Sequence, residues 1–116
     1  MYFGVNYKIE KRDVYMKEFR MRYAVNKAFR NHTFREAGTD QEIDDVQDFV
    51  ASIMKYFGCK PVRCFVDDIN GDCFAVYCEF YDGEVKKETR FDIDFNLTND
   101  ELSQRLYKAY LAACKK

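Results

Sequence analysis

Two turn signals, Asn70-Gly71 and Asp82-Gly83, constrain this chain more than anything else in it. Glycine reaches positive φ without a Cβ clash, and asparagine or aspartate tolerates that region better than most residues. Each pair lies between stretches in which apolar and polar residues alternate, so the segment reads as three antiparallel strands joined by hairpins. With a two-residue turn at Asp82-Gly83, Phe80 stands opposite Val85, Val76 opposite Thr89 and Phe74 opposite Phe91 on an apolar face. Glu79 then stands opposite Lys86, and Tyr77 opposite Glu88, on a polar face. At the first hairpin, a three-residue loop Ile69-Asn70-Gly71 with a glycine bulge pairs Val66 with Phe74, Cys64 with Val76 and Val62 with Cys78. A two-residue turn there would send Arg63 and Asp67 into the core, so the longer loop is preferred.

A helix brackets the strands on each side. Thr39-Asp40-Gln41-Glu42 is a capping box, followed by Ile43, Val46, Phe49, Val50, Ile53, Met54 and Phe57 at spacings of three and four, with Gly58 as the C-terminal cap. Thr98-Asn99-Asp100-Glu101 repeats the start signal. Leu102, Leu106, Ala109, Tyr110 and Ala113 follow on one stripe, and Lys115-Lys116 stand at the negative end of the helix dipole.

The first 38 residues are read as two strands followed by a loop or a short helical piece from Asn26 to Gly38. Phe3, Val5, Tyr7 and Ile9 alternate with Gly4, Asn6, Lys8 and Glu10. Between Tyr15 and Val25, Phe19, Met21, Tyr23 and Val25 alternate with Glu18, Arg20, Arg22 and Ala24. On a helical wheel these apolar residues scatter to opposite sides, although good helix formers make a helix the alternative for the second segment. The expected fold is α+β over residues 1–116 as one domain. It is an antiparallel sheet of about five strands in the order ββαβββα, with two helices on its apolar face and the other face open.

Composition agrees with one self-sufficient core. Of 116 residues, 47% are hydrophobic, and 11 Phe with 9 Tyr supply enough apolar surface to fold without disulfides. No apolar run approaches a membrane span, and Met1 to Asn6 lacks the apolar stretch of a signal peptide, so the expected location is the cytoplasm. Five cysteines, an odd number, are then expected as thiols. Cys59, Cys64, Cys73, Cys78 and Cys114 contain no pair at zinc-knuckle spacing, and no metal or cofactor is expected. His32, the lone histidine, has no visible nucleophile to serve.

Two further patterns fail on inspection. Asp68, Asn70, Asp72 and Glu79 take positions one, three, five and twelve of a calcium loop, but the glycine required at position six is Cys73. Glu84-Val85-Lys86 carries the acid-x-lysine tripeptide of the PD-(D/E)xK nuclease core. Glu84 sits at a tight turn opposite Tyr81, where a companion aspartate would be needed, so a metal-dependent nuclease ranks third among the functional readings.

Charge is divided along the chain. Residues 1–36 hold nine cations against four carboxylates, net +5, and residues 37–97 hold six against fourteen, net −8. The candidate binding residues are the basic Lys8, Arg20, Arg22, Lys27, Arg30 and Arg35, together with the acidic row Asp40, Asp44, Asp45 and Asp48. With no nucleotide loop, triad or cofactor fingerprint, the expectation is a non-enzymatic interaction protein that binds and inhibits or regulates a protein partner. Compact, motif-free chains of this size are common among phage and mobile-element accessory proteins, anti-CRISPR inhibitors among them, a likeness of size and style with no motif behind it. The runner-up is a nucleic-acid-binding domain using the basic arm, with Phe65 and Tyr77 on the open sheet face available to stack on bases.

Overall fold

A computed structural model describes residues 2–31 and 40–115, with side chains described from Met16 in the first helix and from Ile43 in the second. The elements are α1 (Tyr2–Asn31), α2 (Asp40–Phe57), β1 (Lys60–Asn70), β2 (Cys73–Asp82), β3 (Val85–Asp94) and α3 (Asn99–Cys114). The α+β class holds, as does the run from α2 to α3. The five-strand sheet and the order ββαβββα do not: among the described residues the sheet has three strands in the order β1-β2-β3, and both N-terminal strands are replaced by one 30-residue helix.

The reason lies in which side chains α1 buries. Met21, Ala24, Val25 and Ala28 are fully buried, a helical i, i+3, i+4, i+7 stripe. The alternation of Phe19, Met21, Tyr23 and Val25 is not one face of a strand. Met21 and Val25 point into the core, while Phe19 and Tyr23 stay about half exposed on the opposite side. The core stripe is completed by two alanines, which let α1 approach its neighbours closely and favour the helix intrinsically.

The helices form two layers on one face of the sheet. α2 packs on β1 and β2, α3 on β3, and α1 lies across α2 and α3. Phe49, Phe74, Phe80 and Phe91 are the largest fully buried side chains of the core. Phe29 from α1 and Phe95, just after β3, meet Phe49 with ring centroids 4.7 and 6.2 Å away.

Local signals at the helix ends behave as the sequence implies. Gly58 has φ of 110° and its N–H donates to the Lys55 carbonyl, while Cys59 N–H donates to Met54 O at 2.9 Å. This pair of bonds is a Schellman cap. At α3, Thr98 and Glu101 exchange the two bonds of a capping box. The corresponding box at Thr39 lies outside the described residues.

Both hairpins turn on two residues, Gly71-Asp72 and Gly83-Glu84, with φ of 62° and 66° at the glycines, the first central position that a type II′ turn reserves for glycine. In the second hairpin Phe80 therefore pairs with Lys87, Val76 with Phe91 and Phe74 with Ile93. The partners expected from sequence are displaced by two residues, which preserves the faces. In the first hairpin Asn70 pairs with Cys73, Val66 with Val76 and Cys64 with Cys78. The three-residue loop is thus corrected. A register shift between Val66 and Asp68 leaves Asp67 unpaired, and this bulge keeps Arg63 and Asp67 out of the core despite the short turn. A second shift between Pro61 and Arg63 leaves Val62 half exposed instead of opposite Cys78.

Candidate functional site

Turning the N-terminal arm into a helix redistributes every candidate on it. At 100° per residue, Met16, Phe19 and Tyr23 fall on the side of α1 opposite its buried stripe. They are 54%, 55% and 47% exposed, making three large apolar side chains at i, i+3 and i+7 that face away from the core. Arg20 and Lys27 flank this stripe on one side and Arg22 on the other, with Arg30 behind Tyr23. These three apolar residues were absent from the sequence-derived site. Their three-and-four spacing was readable, but only once the segment is taken as a helix.

The cations around the stripe have structural contacts of their own. Arg20 reaches the C-terminal cap of α2, where its Nη1 lies 3.1 Å from the point a Cβ on Gly58 would occupy. A cation at a helix C-terminus is favoured by the dipole. Arg22 Nε lies 3.5 Å from Asp100 in the first turn of α3. Lys27 Nζ sits over Tyr56 at 4.5 Å and Tyr23 at 5.7 Å from the ring centroids. Arg30 is exposed at the end of α1. Lys8 lies on α1 but its side chain is outside the described residues, as is all of Arg35. A cleft of about 390 Å³ between α1 and α3 adjoins the stripe, with Glu18 and Arg22 on one wall and Lys108 and Leu111 on the other. Glu18, expected on the sheet, belongs to this cleft.

Among the described residues, the acidic row lies on α2 and the basic one on α1. Asp44 and Asp48 are exposed one turn apart on α2 and Asp45 is half-buried, while the side chain of Asp40 is outside the described residues. No contact recorded for the described residues brings these carboxylates to the cations of α1.

The open face of the sheet carries Phe65 and Tyr77 side by side, as expected, with ring centroids 5.0 Å apart and the Arg63 guanidinium 4.7 Å above Phe65. Several of its other charges are matched locally. Lys86 Nζ lies 3.3 Å from Glu79, Arg90 Nη1 lies 3.6 Å from Asp67, and Tyr77 donates to the Glu88 carboxylate. That bond holds the Tyr77 proton and pushes its phenol up to about 12.

The remaining constellations resolve into structure. Glu84 occupies a hairpin turn, Lys86 pairs with Glu79, and Asp82 accepts from Tyr110 Oη at 2.6 Å. Asp68, Asn70 and Asp72 lie on β1 and its turn. Among the described residues, no group of three or more His, Cys, Asp and Glu side chains is placed to hold a metal ion, and no helix is long and apolar enough to cross a membrane. All five cysteines are free thiols. Comparison of the chain with protein-family models, with curated proteins and with solved structures gives no match.

Proposed function

We propose that this chain is a non-enzymatic binding protein that docks an acidic protein partner through the outer face of α1 and thereby inhibits or regulates it. The observation that supports this reading is the stripe Met16, Phe19 and Tyr23, about half exposed and bracketed by Arg20, Arg22 and Lys27. Apolar anchors inside a charged rim are the composition of a protein interface. Half-exposed aromatic side chains on a rigid helix gain burial on docking with little further loss of conformational freedom. Small size and the motif-free sequence fit an accessory protein of the kind carried by phages and mobile elements, acting in the cytoplasm. Nucleic-acid binding is the less favoured use of the same cations, because the sheet face that would stack bases has Lys86 and Arg90 beside carboxylates.

The test compares the parent with a variant in which Met16, Phe19 and Tyr23 are all alanine. These side chains lie outside the core, so folding should survive. Affinity capture from lysate should yield an acidic protein with the parent and lose it with the variant. Equal capture by both rejects the stripe. Anisotropy titration of labelled single-stranded and duplex nucleic acid across salt concentrations decides the competing reading: salt-sensitive binding weakened by Arg20→Ala and Arg22→Ala would replace the protein partner with nucleic acid.

A further inference from the structure

The two edges of the sheet differ. β1 contains Pro61 and two register shifts, devices that blunt an edge against further pairing. β3 pairs with β2 without interruption from Val85 to Asp94. In a β-turn the carbonyl of the first residue accepts from the N–H of the fourth, so at Asp82-Gly83-Glu84-Val85 the Val85 N–H points at β2. Antiparallel alternation then turns Lys87, Thr89, Phe91 and Ile93 the same way and directs the backbone groups of Lys86, Glu88, Arg90 and Asp92 outward. α3 covers the core face of β3, where Thr89 Oγ1 donates to Ala109 O at 3.4 Å. At the outer flank a groove of about 600 Å³ separates Val85 to Glu88 from Ala113 and Cys114 at the end of α3.

On the open face the side chains of β3 alternate in sign: Lys86, Glu88, Arg90, Asp92. We propose that the outer edge of β3 pairs antiparallel with β3 of a second copy of this chain, centred on Thr89, to form a continuous six-stranded sheet. In that register Lys86 faces Asp92 of the second copy and Glu88 faces Arg90, and the two-fold axis repeats both pairs. All four outward-directed residues meet an opposite charge. Sliding one strand by two residues places Arg90 on Arg90 or Glu88 on Glu88, so charge selects the register. On the core side Val85, 58% exposed in the single chain, lies at the end of the paired segment, and Thr89, half-buried, faces Thr89 of the second copy. In the single chain Lys86 and Arg90 pair with Glu79 and Asp67, and Glu88 accepts from Tyr77, so pairing with the second copy shares or exchanges these exposed partners. The edge addition uses main-chain hydrogen bonds for affinity and these side chains for specificity. None of it involves Met16, Phe19 or Tyr23, so it stands or falls separately from the docking face.

Sedimentation velocity over a range of concentrations tests it, using the parent, Glu88→Arg, Arg90→Glu, and the double exchange carrying both substitutions. Each variant is first checked for the parent's circular dichroism spectrum. The parent should dimerise. Each single variant should raise the dissociation constant at least about tenfold, because two opposite-charge pairs become like-charge pairs. The double exchange, and an equimolar mixture of the two single variants, should regain the dimer. A parent that stays monomeric at the highest concentration overturns the proposal. So does a single variant that dimerises like the parent, or folded single variants whose mixture remains monomeric.

Discussion

The sulfurs of Cys64 and Cys78 lie 2.9 Å apart, on residues directly opposite each other in the β1–β2 ladder. Directly opposed residues of an antiparallel pair have Cα atoms about 4.5–5.5 Å apart, within the usual span of a disulfide. The hydrogen bond between the thiols lowers the Cys64 pKa, while the same bond and burial raise that of Cys78.

Mild oxidation with diamide should therefore join Cys64 to Cys78 ahead of any other pair among the five thiols. Each thiol gives up a proton and an electron to the added oxidant. Peptide mapping of the oxidised, still folded protein should find that one cross-link, and Cys64→Ala should abolish it. Linkage through Cys59, Cys73 or Cys114 instead would contradict the ladder register.

Cys59 predicts a loss of stability in alkali. Burial, aided by Asp82 and Cys114 and opposed by Lys87 and Lys17, raises its thiol from 9.0 to about 12. The folded state holds the proton more tightly than the unfolded chain, so this contribution is complete below pH 9 and is lost as pH rises from 9 to about 12. Urea midpoints across that range should fall less in Cys59→Ala than in the parent. The Tyr110 phenol, raised by burial and by its bond to Asp82, acts in the same direction in both proteins and cancels in the comparison.

Tyr110 also ties α3 to the second hairpin. Its hydroxyl donates to Asp82 at 2.6 Å, and its ring packs against Phe57 with centroids 4.8 Å apart. Tyr110→Phe keeps the ring and removes the bond to a carboxylate, and should cost about 1–2 kcal/mol in chemical denaturation. A change under about 0.5 kcal/mol would mean that water replaces the hydroxyl at no loss.

How far the fold was legible depended on whether one periodicity dominated each segment. α2 and α3 carry a single apolar stripe with a glycine cap or a capping box, so sequence alone located them. The strands alternate cleanly, so their buried and open faces were readable even where partners were off by two residues. α1 is apolar on two sides: Met21 and Val25 face the core, while Met16, Phe19 and Tyr23 face outward, and the superposition imitates a period of two. The same ambiguity hid the candidate site. Arg20, Arg22 and Lys27 were recognisable by charge, but nothing local reveals that they bracket exposed apolar residues until α2 and α3 define which side of α1 is inside.

The first hairpin shows the same limit and gives a sharp test. A two-residue turn conflicted with burial in the sequence because one unbroken register would carry Arg63 and Asp67 into the core. The chain keeps the short turn and resolves the conflict with one extra residue, Asp67, between Val66 and Asp68. Deleting Asp67 should then be tolerated, since Asp68 still faces Ala75, Val66 faces Val76 and Cys64 faces Cys78, at the loss of the exposed pair with Arg90, worth under about 1 kcal/mol. Deleting Phe65 instead shifts everything before it by one, bringing Cys64 to the open face and Arg63 opposite Cys78 in the core. An unpaired buried guanidinium costs about 3–5 kcal/mol. Thermal melts should therefore show the Asp67 deletion near the parent and the Phe65 deletion strongly destabilised. Equal losses would show that the bulge, and with it the two-residue turn, is misplaced.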